Sequence, residues 1–93
     1  MAEIEFEWDP DKAERNLKDH GVSFEEAQTV FFDELARLID DPDHSDDEDR
    51  FILLGISSSL RLLVVVHCYR EDDLIVRIIS ARKATKAESK QYP

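Results

Sequence analysis

Apolar and polar positions change period several times along the chain, and each change marks an element. Ile4-Glu5-Phe6-Glu7-Trp8 alternates apolar with acidic residues, the period-two signature of an edge strand. Asp9-Pro10 ends it and also suits a helix start, with Asp9 as N-cap and Pro10 in the first helical position. The helix continues through DKAERNLKDH with Ala13, Leu17 and His20 towards one face, and Gly21 closes it as the residue after the last turn. Ser23 with Glu26 three residues on forms a capping box, and Val22 before it supplies a hydrophobic staple. Phe24, Ala27, Val30 and Phe31 then recur at helical spacing, which predicts a second helix with a core-facing stripe. Residues 35–39 (LARLI) predict a short strand.

Three longer runs follow: RFILLGIS (50–57), RLLVVVHCYR (61–70) and LIVRIISAR (74–82). They hold most of the β-branched residues, which pack well on a pleated surface. The breaks between them, Ser58-Ser59-Leu60 and Glu71-Asp72-Asp73, have hairpin length. The middle run is almost continuously apolar, so it is expected to be covered on both faces. Thr85 with Glu88 forms another capping box and predicts a short final helix. The order β-α-α-β-β-β-β-α describes an α+β domain, one domain over residues 1–93, with helices packed on a mainly antiparallel sheet.

Composition adds a compartment and a charge problem. The single cysteine, Cys68, cannot form an intrachain disulfide, which fits a reducing cytoplasmic setting. No apolar run reaches bilayer length and MAEIEFEWDP lacks the basic-then-apolar order of a signal peptide, so a soluble protein without membrane contact is expected. The net charge is −10, which argues against non-specific nucleic-acid binding. That charge is unevenly placed. Residues 40–49 (DDPDHSDDED) hold seven acids, whereas residues 50–93 hold eight Lys or Arg against four acids. His44 and its acidic neighbours lack the turn glycine of a calcium loop, so the stretch reads as a solvated loop, with no metal and no cofactor expected.

Basic residues interrupt or end every long run: Arg50, Arg61, Arg70, Arg77, Arg82 and Lys83. If the first turn pairs Ser57 with Leu62, Arg50 faces Tyr69 and Ile52 faces His67. If the second pairs Arg70 with Leu74, Arg77 also faces His67. One end of the sheet then presents Arg50, His67, Tyr69 and Arg77 on one face with Arg70 on the other, and a one-residue slip breaks the cluster. Arg61, Arg82 and Lys83 fall at the opposite end. Arginine forks bind phosphate and stabilise charge building on it, a tyrosine stacks on a base, and His or Glu moves protons. These are the parts for RNA cleavage by 2′-hydroxyl attack. The plainer alternative is that the arginines are strand-end residues beside acidic partners. His20, at a helix C-terminus, either complements the helix dipole or serves as a general acid or base.

The phrases FEWDPDKAERNLKDHGVSFEEA (6–27), HSDDEDRFILLGIS (44–57), RLLVVVHCYR (61–70) and IVRIISARKATKAE (75–88), in that order, resemble the BrnT family of RelE-like type II toxins. The resemblance implies a RelE-like α+β fold and an endoribonuclease that inhibits translation, acting on RNA free or on the ribosome. It also implies neutralisation by a cognate ribbon-helix-helix antitoxin, so that DNA is met only through that partner. By position it implies His20, Glu48, Arg50 and Arg82 as catalytic residues. Arg61, His67, Tyr69, Arg70, Arg77 and Lys83 are the expected RNA-binding set from the strand pattern and the resemblance together. Asp19 and Leu60 depart from the family's common lysine and turn glycine. A catalytically degenerate partner-binding module of the same fold is the alternative function.

Overall fold

The computed structural model describes residues 4–40, 50–72 and 74–93. Strand β1 (Glu5–Glu7) is followed by helix α1 (Pro10–His20), helix α2 (Phe24–Thr29) with a 3-10 turn over Val30–Phe32, and strand β2 (Arg37–Ile39). Strands β3 (Phe51–Ile56), β4 (Leu62–Arg70) and β5 (Ile75–Lys83) and helix α3 (Lys86–Ser89) complete the α+β order predicted from the pattern. The five strands form one sheet in the order β1-β5-β4-β3-β2. All pairs are antiparallel except β1 with β5. No helix among the described residues is long and apolar enough to cross a membrane.

The helix ends follow their local chemistry. The Asp9 carboxylate accepts the Asp11 N–H at 2.9 Å, Pro10 opens α1, and Gly21 closes it with φ +68°, a left-handed conformation that suits glycine. Ser23 Oγ accepts the Glu26 N–H at 3.0 Å, but the Glu26 carboxylate turns away from the cap to other partners. Only half of that capping box forms. The Thr85–Glu88 box forms completely.

β4 lies at the centre of the sheet and is covered on both sides, as expected. On one face Leu63 and Val65 join Val76, Ile78 and Ala81 beneath Val22, Phe24, Ala27 and Val30 from the α2 region. On the other face Ile52, Leu54 and Val64 are buried against Ile39, Leu62, Val66, Ala84 and Tyr92. Asp33 fastens the C-terminal segment over this side by accepting the Tyr92 hydroxyl at 2.7 Å and the Ile56 N–H at 2.8 Å.

Both hairpins pair one residue away from the expected register. In the first, Ile56 pairs with Leu62 and Phe51 with His67. Leu60 N–H donates to the Ser57 carbonyl and Ser57 N–H to the Arg61 carbonyl, with Leu60 at φ 61°. That is a three-residue loop closed by a left-handed residue, where the expected pairing needed four. In the second, Arg70 pairs with Ile75 and Cys68 with Arg77. Glu71 and Asp72 take left-handed φ values of 50° and 59°, and Leu74 N–H donates to the Glu71 carbonyl, so this loop is one residue longer than expected.

The β4–β5 ladder also changes register once. His67 pairs with Ile78 but Val66 pairs with Ser80, leaving Ile79 as an extra residue in β5. Beyond Arg77, β5 has lost its β1 neighbour, and α1 takes over that edge. Asn16 Nδ2 donates to the Ala81 carbonyl at 2.8 Å, and Asn16 Oδ1 accepts the Ala81 N–H at 3.1 Å. A side-chain amide thus stands in for a missing strand. The same Nδ2 also donates to the Val22 carbonyl at 2.8 Å, tying the turn after α1 to the sheet.

Candidate active site

The shifted register reassigns the residues expected to cluster. His67 and Tyr69 do not share a face with Arg50 and Arg77. Alternation along β4 sends Leu63, Val65, His67 and Tyr69 to the helix-covered face, and Leu62, Val64, Val66, Cys68 and Arg70 to the other. Arg77 lies opposite Cys68, and Arg50 immediately precedes the Phe51–His67 pair that ends the β3–β4 ladder. Alternation thus puts the Arg50 position on the face of Cys68 and Arg77, away from His67. The two registers slip by one residue in opposite directions along β4, so both arginine positions change face together.

His67 is instead a core residue with no exposed surface. Its ring packs edge-on to Phe31 at 4.8 Å and lies near Phe51 and Tyr69. Nδ1–H donates to the Val65 carbonyl at 3.2 Å, and Nε2 accepts the Tyr69 hydroxyl at 3.3 Å. Burial pushes its pKa down, in keeping with a neutral ring satisfied on both nitrogens. Tyr69 keeps over a third of its surface exposed at the rim of this aromatic group.

On the opposite face, β1 supplies an anchor for the arginines. One Glu7 oxygen accepts from Arg77 at 2.7 Å and from Arg70 at 2.9 Å. The Arg77 hydrogen bond leads in holding the Glu7 carboxyl below its usual range, with Arg70 adding to it. One carboxylate thus holds two guanidinium groups.

Arg82 reaches this face because of the extra residue in β5. Five positions separate Arg77 from Arg82, an odd number that would place them on opposite faces of a regular strand. With Ile79 inserted, Arg77 and Arg82 pair with Cys68 and Val64, four residues apart on β4 and on one face. Their strand positions are about 13 Å apart along the sheet. The bulge brings Arg77 and Arg82 to the same side. Arg82 then grips Glu88 through two parallel bonds of 2.7 and 2.8 Å, and Glu88 also accepts the Thr85 N–H at 2.8 Å. The Arg82 pairing is the main cause that lowers the Glu88 pKa to about 2.

Beside this stretch of β5, α1 and the bulge border an open groove of about 250 Å³, lined by Lys12, Arg15, Asn16, Asp19, His20, Ile79 and Ser80. Ile79 and Ser80 lie between Arg77 and Arg82 in sequence, so His20 borders the stretch that separates them. His20 is exposed at the last position of α1, just before the left-handed Gly21.

Arg61 and Lys83 sit at the other end of the sheet, as expected, but lean towards the helix side. Arg61 Nε donates to Glu26 at 2.9 Å, a second guanidinium nitrogen pairs with the other Glu26 oxygen, and the Gly21 carbonyl is met at 3.0 Å. Ser57 Oγ donates to the same carboxylate at 2.6 Å. Arg61 leads in holding Glu26 below the usual carboxylate range. This knot joins the end of α1, the start of α2 and the β3–β4 turn, giving Arg61 a joining role as well as a charge. Lys83 pairs with Leu63 on the same side. Glu48 and the rest of residues 41–49 lie outside the described residues.

Sequence reasoning missed Asn16, Glu7 and the second bond of Glu88. Only Glu88 carried a signal, its place in a capping box, and nothing local indicated Arg82 as its further partner.

The family model described as "Ribonuclease toxin, BrnT, of type II toxin-antitoxin system" matches residues 8–88. Among solved structures, the 1.1 Å crystal structure of the Brucella abortus ribonuclease toxin BrnT is similar, with a TM-score of 0.69 and 20% identity, covering 90% of this chain and 100% of that one. No curated protein gives a significant sequence match.

Proposed function

The chain belongs to the BrnT family of ribonuclease toxins of type II toxin–antitoxin systems, and from that premise we propose that it cleaves RNA on the sheet face bearing Arg50, Arg77 and Arg82. In this reading the reaction needs no metal. A general base removes the proton from a ribose 2′-hydroxyl, and the oxygen attacks the adjacent phosphorus. The bond to the 5′-oxygen breaks as a general acid protonates it. The products are a 2′,3′-cyclic phosphate and a 5′-hydroxyl end.

His20 and Glu48 are the proton carriers, and Arg50 and Arg82 stabilise the charge that gathers on the phosphate in the transition state. Arg77 and Arg70, tethered by Glu7, bind a neighbouring phosphate. The observation that carries this reading is the bulge at Ile79. It puts Arg82 on the face of Arg77 and sets the His20 groove against the segment between them. Arg82 is held by Glu88 before substrate arrives, so little side-chain freedom remains to be lost on binding. Cleaving RNA in the cell inhibits translation, and a cognate ribbon-helix-helix antitoxin neutralises the toxin.

The test is cleavage of single-stranded RNA by purified protein, with end-group analysis, alongside growth arrest on expression. Wild type is expected to yield cyclic phosphate ends. Arg82→Ala and His20→Ala are expected to lose about 100-fold or more in rate, the range of a removed charge stabiliser or proton carrier. Wild-type protein that cuts no RNA yet binds an antitoxin would replace this reading with the partner-binding module.

A further inference from the structure

The groove beside His20 has a chemical character that the cleavage chemistry does not use. Its α1 wall is made by residues 12, 15, 16, 19 and 20, a stripe at helical spacing. Lys12 and Arg15 occupy the N-terminal part of that wall, both exposed, and among the described residues neither takes part in an ion pair of the sheet face. Glu14 and Lys18, on the same helix, do not line it. The floor, Ile79 and Ser80, carries no charge, and Asn16 already gives both ends of its amide to backbone partners. Asp19 beside His20 is the acid in the lining. In a chain of net charge −10, two cations therefore stand together along one concave wall that ends at His20.

We propose that this groove is a binding track for the RNA backbone flanking the cleaved bond, with Lys12 and Arg15 contacting phosphates. The inference rests on the ribonuclease reading and extends it to residues outside the reaction centre. Lys12 and His20 are separated by about 12 Å of helix rise, enough for more than one backbone phosphate to lie along the wall. A strand laid along α1 thus keeps its phosphates near Lys12 and Arg15 while a later one reaches the Arg77–Arg82 segment.

The experiment measures binding of a short single-stranded RNA with 2′-O-methyl riboses, which cannot be cut, by fluorescence anisotropy across a salt series. Lys12→Gln/Arg15→Gln is expected to weaken binding roughly tenfold at low salt, and to reduce the slope of log affinity against log salt by about 1.4, or 0.7 for each lost phosphate contact. Lys18→Gln removes the same unit charge from the same helix away from the groove, and is expected to change affinity by less than about twofold. All three positions are exposed, and unchanged melting temperatures confirm an intact fold. An unchanged salt slope in the double variant, or a Lys18→Gln loss equal to half of the double variant's, overturns the track. If wild type binds no RNA at all, the ribonuclease reading falls together with it. Binding by wild type without dependence on Lys12 and Arg15 removes the track alone.

Discussion

Replacing Asn16 with alanine tests whether one side chain substitutes for a strand at the exposed edge of β5. Asn16 is 6% exposed and serves three backbone groups: the carbonyls of Val22 and Ala81, each at 2.8 Å, and the N–H of Ala81 at 3.1 Å. A buried backbone group left without its partner costs about 1–3 kcal/mol. The neighbouring groove lets water approach, which favours the lower end of that range for each group. The expected loss for Asn16→Ala is therefore about 3 kcal/mol in total. In a domain of this size that lowers the melting temperature by roughly 12–20 °C. Urea denaturation with two spectroscopic probes measures it. Asn16→Asp is the sharper arm, because it keeps the acceptor for Ala81 N–H but turns the donor to two carbonyls into a carboxylate oxygen. Asp is expected to be at least as destabilising as Ala. A loss below about 1 kcal/mol for Ala, or near-wild-type stability for Asp, would refute the role given to this amide.

Three further outcomes follow from single contacts. A Cβ built on Gly55 would stand 2.8 Å from Val30 Cγ1 and 2.9 Å from the Ala36 Cβ, so Gly55→Ala is expected to destabilise by about 1–3 kcal/mol in the same denaturation assay. Leu60 holds φ 61° with 84% of its surface exposed, so Leu60→Gly relieves strain without losing burial and is expected to stabilise by about 0.5–1 kcal/mol; a loss would show that the loop geometry is misassigned. Glu88 titrates at about 2 when folded against 4.5 unfolded, so its contribution is complete above pH 4.5 and fades as pH falls towards about 2. Solvent screens the partly exposed Arg82, so Glu88→Gln is expected to cost about 1 kcal/mol at pH 7 and to flatten the acid limb of the stability–pH curve.

The elements were legible wherever a local rule applied. Asp9-Pro10, Gly21, Ser23 and Thr85 each marked a helix boundary, and the unbroken apolar run of β4 indicated cover on both faces. The pairing registers were not legible, for a definite reason. Leu60, Glu71 and Asp72 adopt left-handed φ without being glycine, so the turns carried no signal of their true length. The bulge was hidden in the same way, because Ile78-Ile79 keeps the run apolar and a period of two cannot reveal one added residue. The site was half legible. Arginines at strand ends could be counted, but Glu7 lies 70 positions from Arg77 and Glu26 lies 35 from Arg61, so only the nearby Glu88 of Arg82 left a local trace. His67 looked like a ligand-facing residue under the expected register, and one step of slip turned it into the middle of an aromatic core.

The parallel β1–β5 pair has a consequence for when the protein becomes itself. Glu7 meets Arg77 across 70 positions and Asn16 meets Ala81 across 65, so the first and last parts of the chain complete one another. Such distant contacts form late, after the local hairpins have closed. A chain emerging from synthesis can build the β3–β4 hairpin early, while β1 and the β5-facing edge of α1 wait without partners. The arginine face and its adjoining groove are then assembled at the end of folding. Truncations that remove β5 are expected to be both unfolded and harmless.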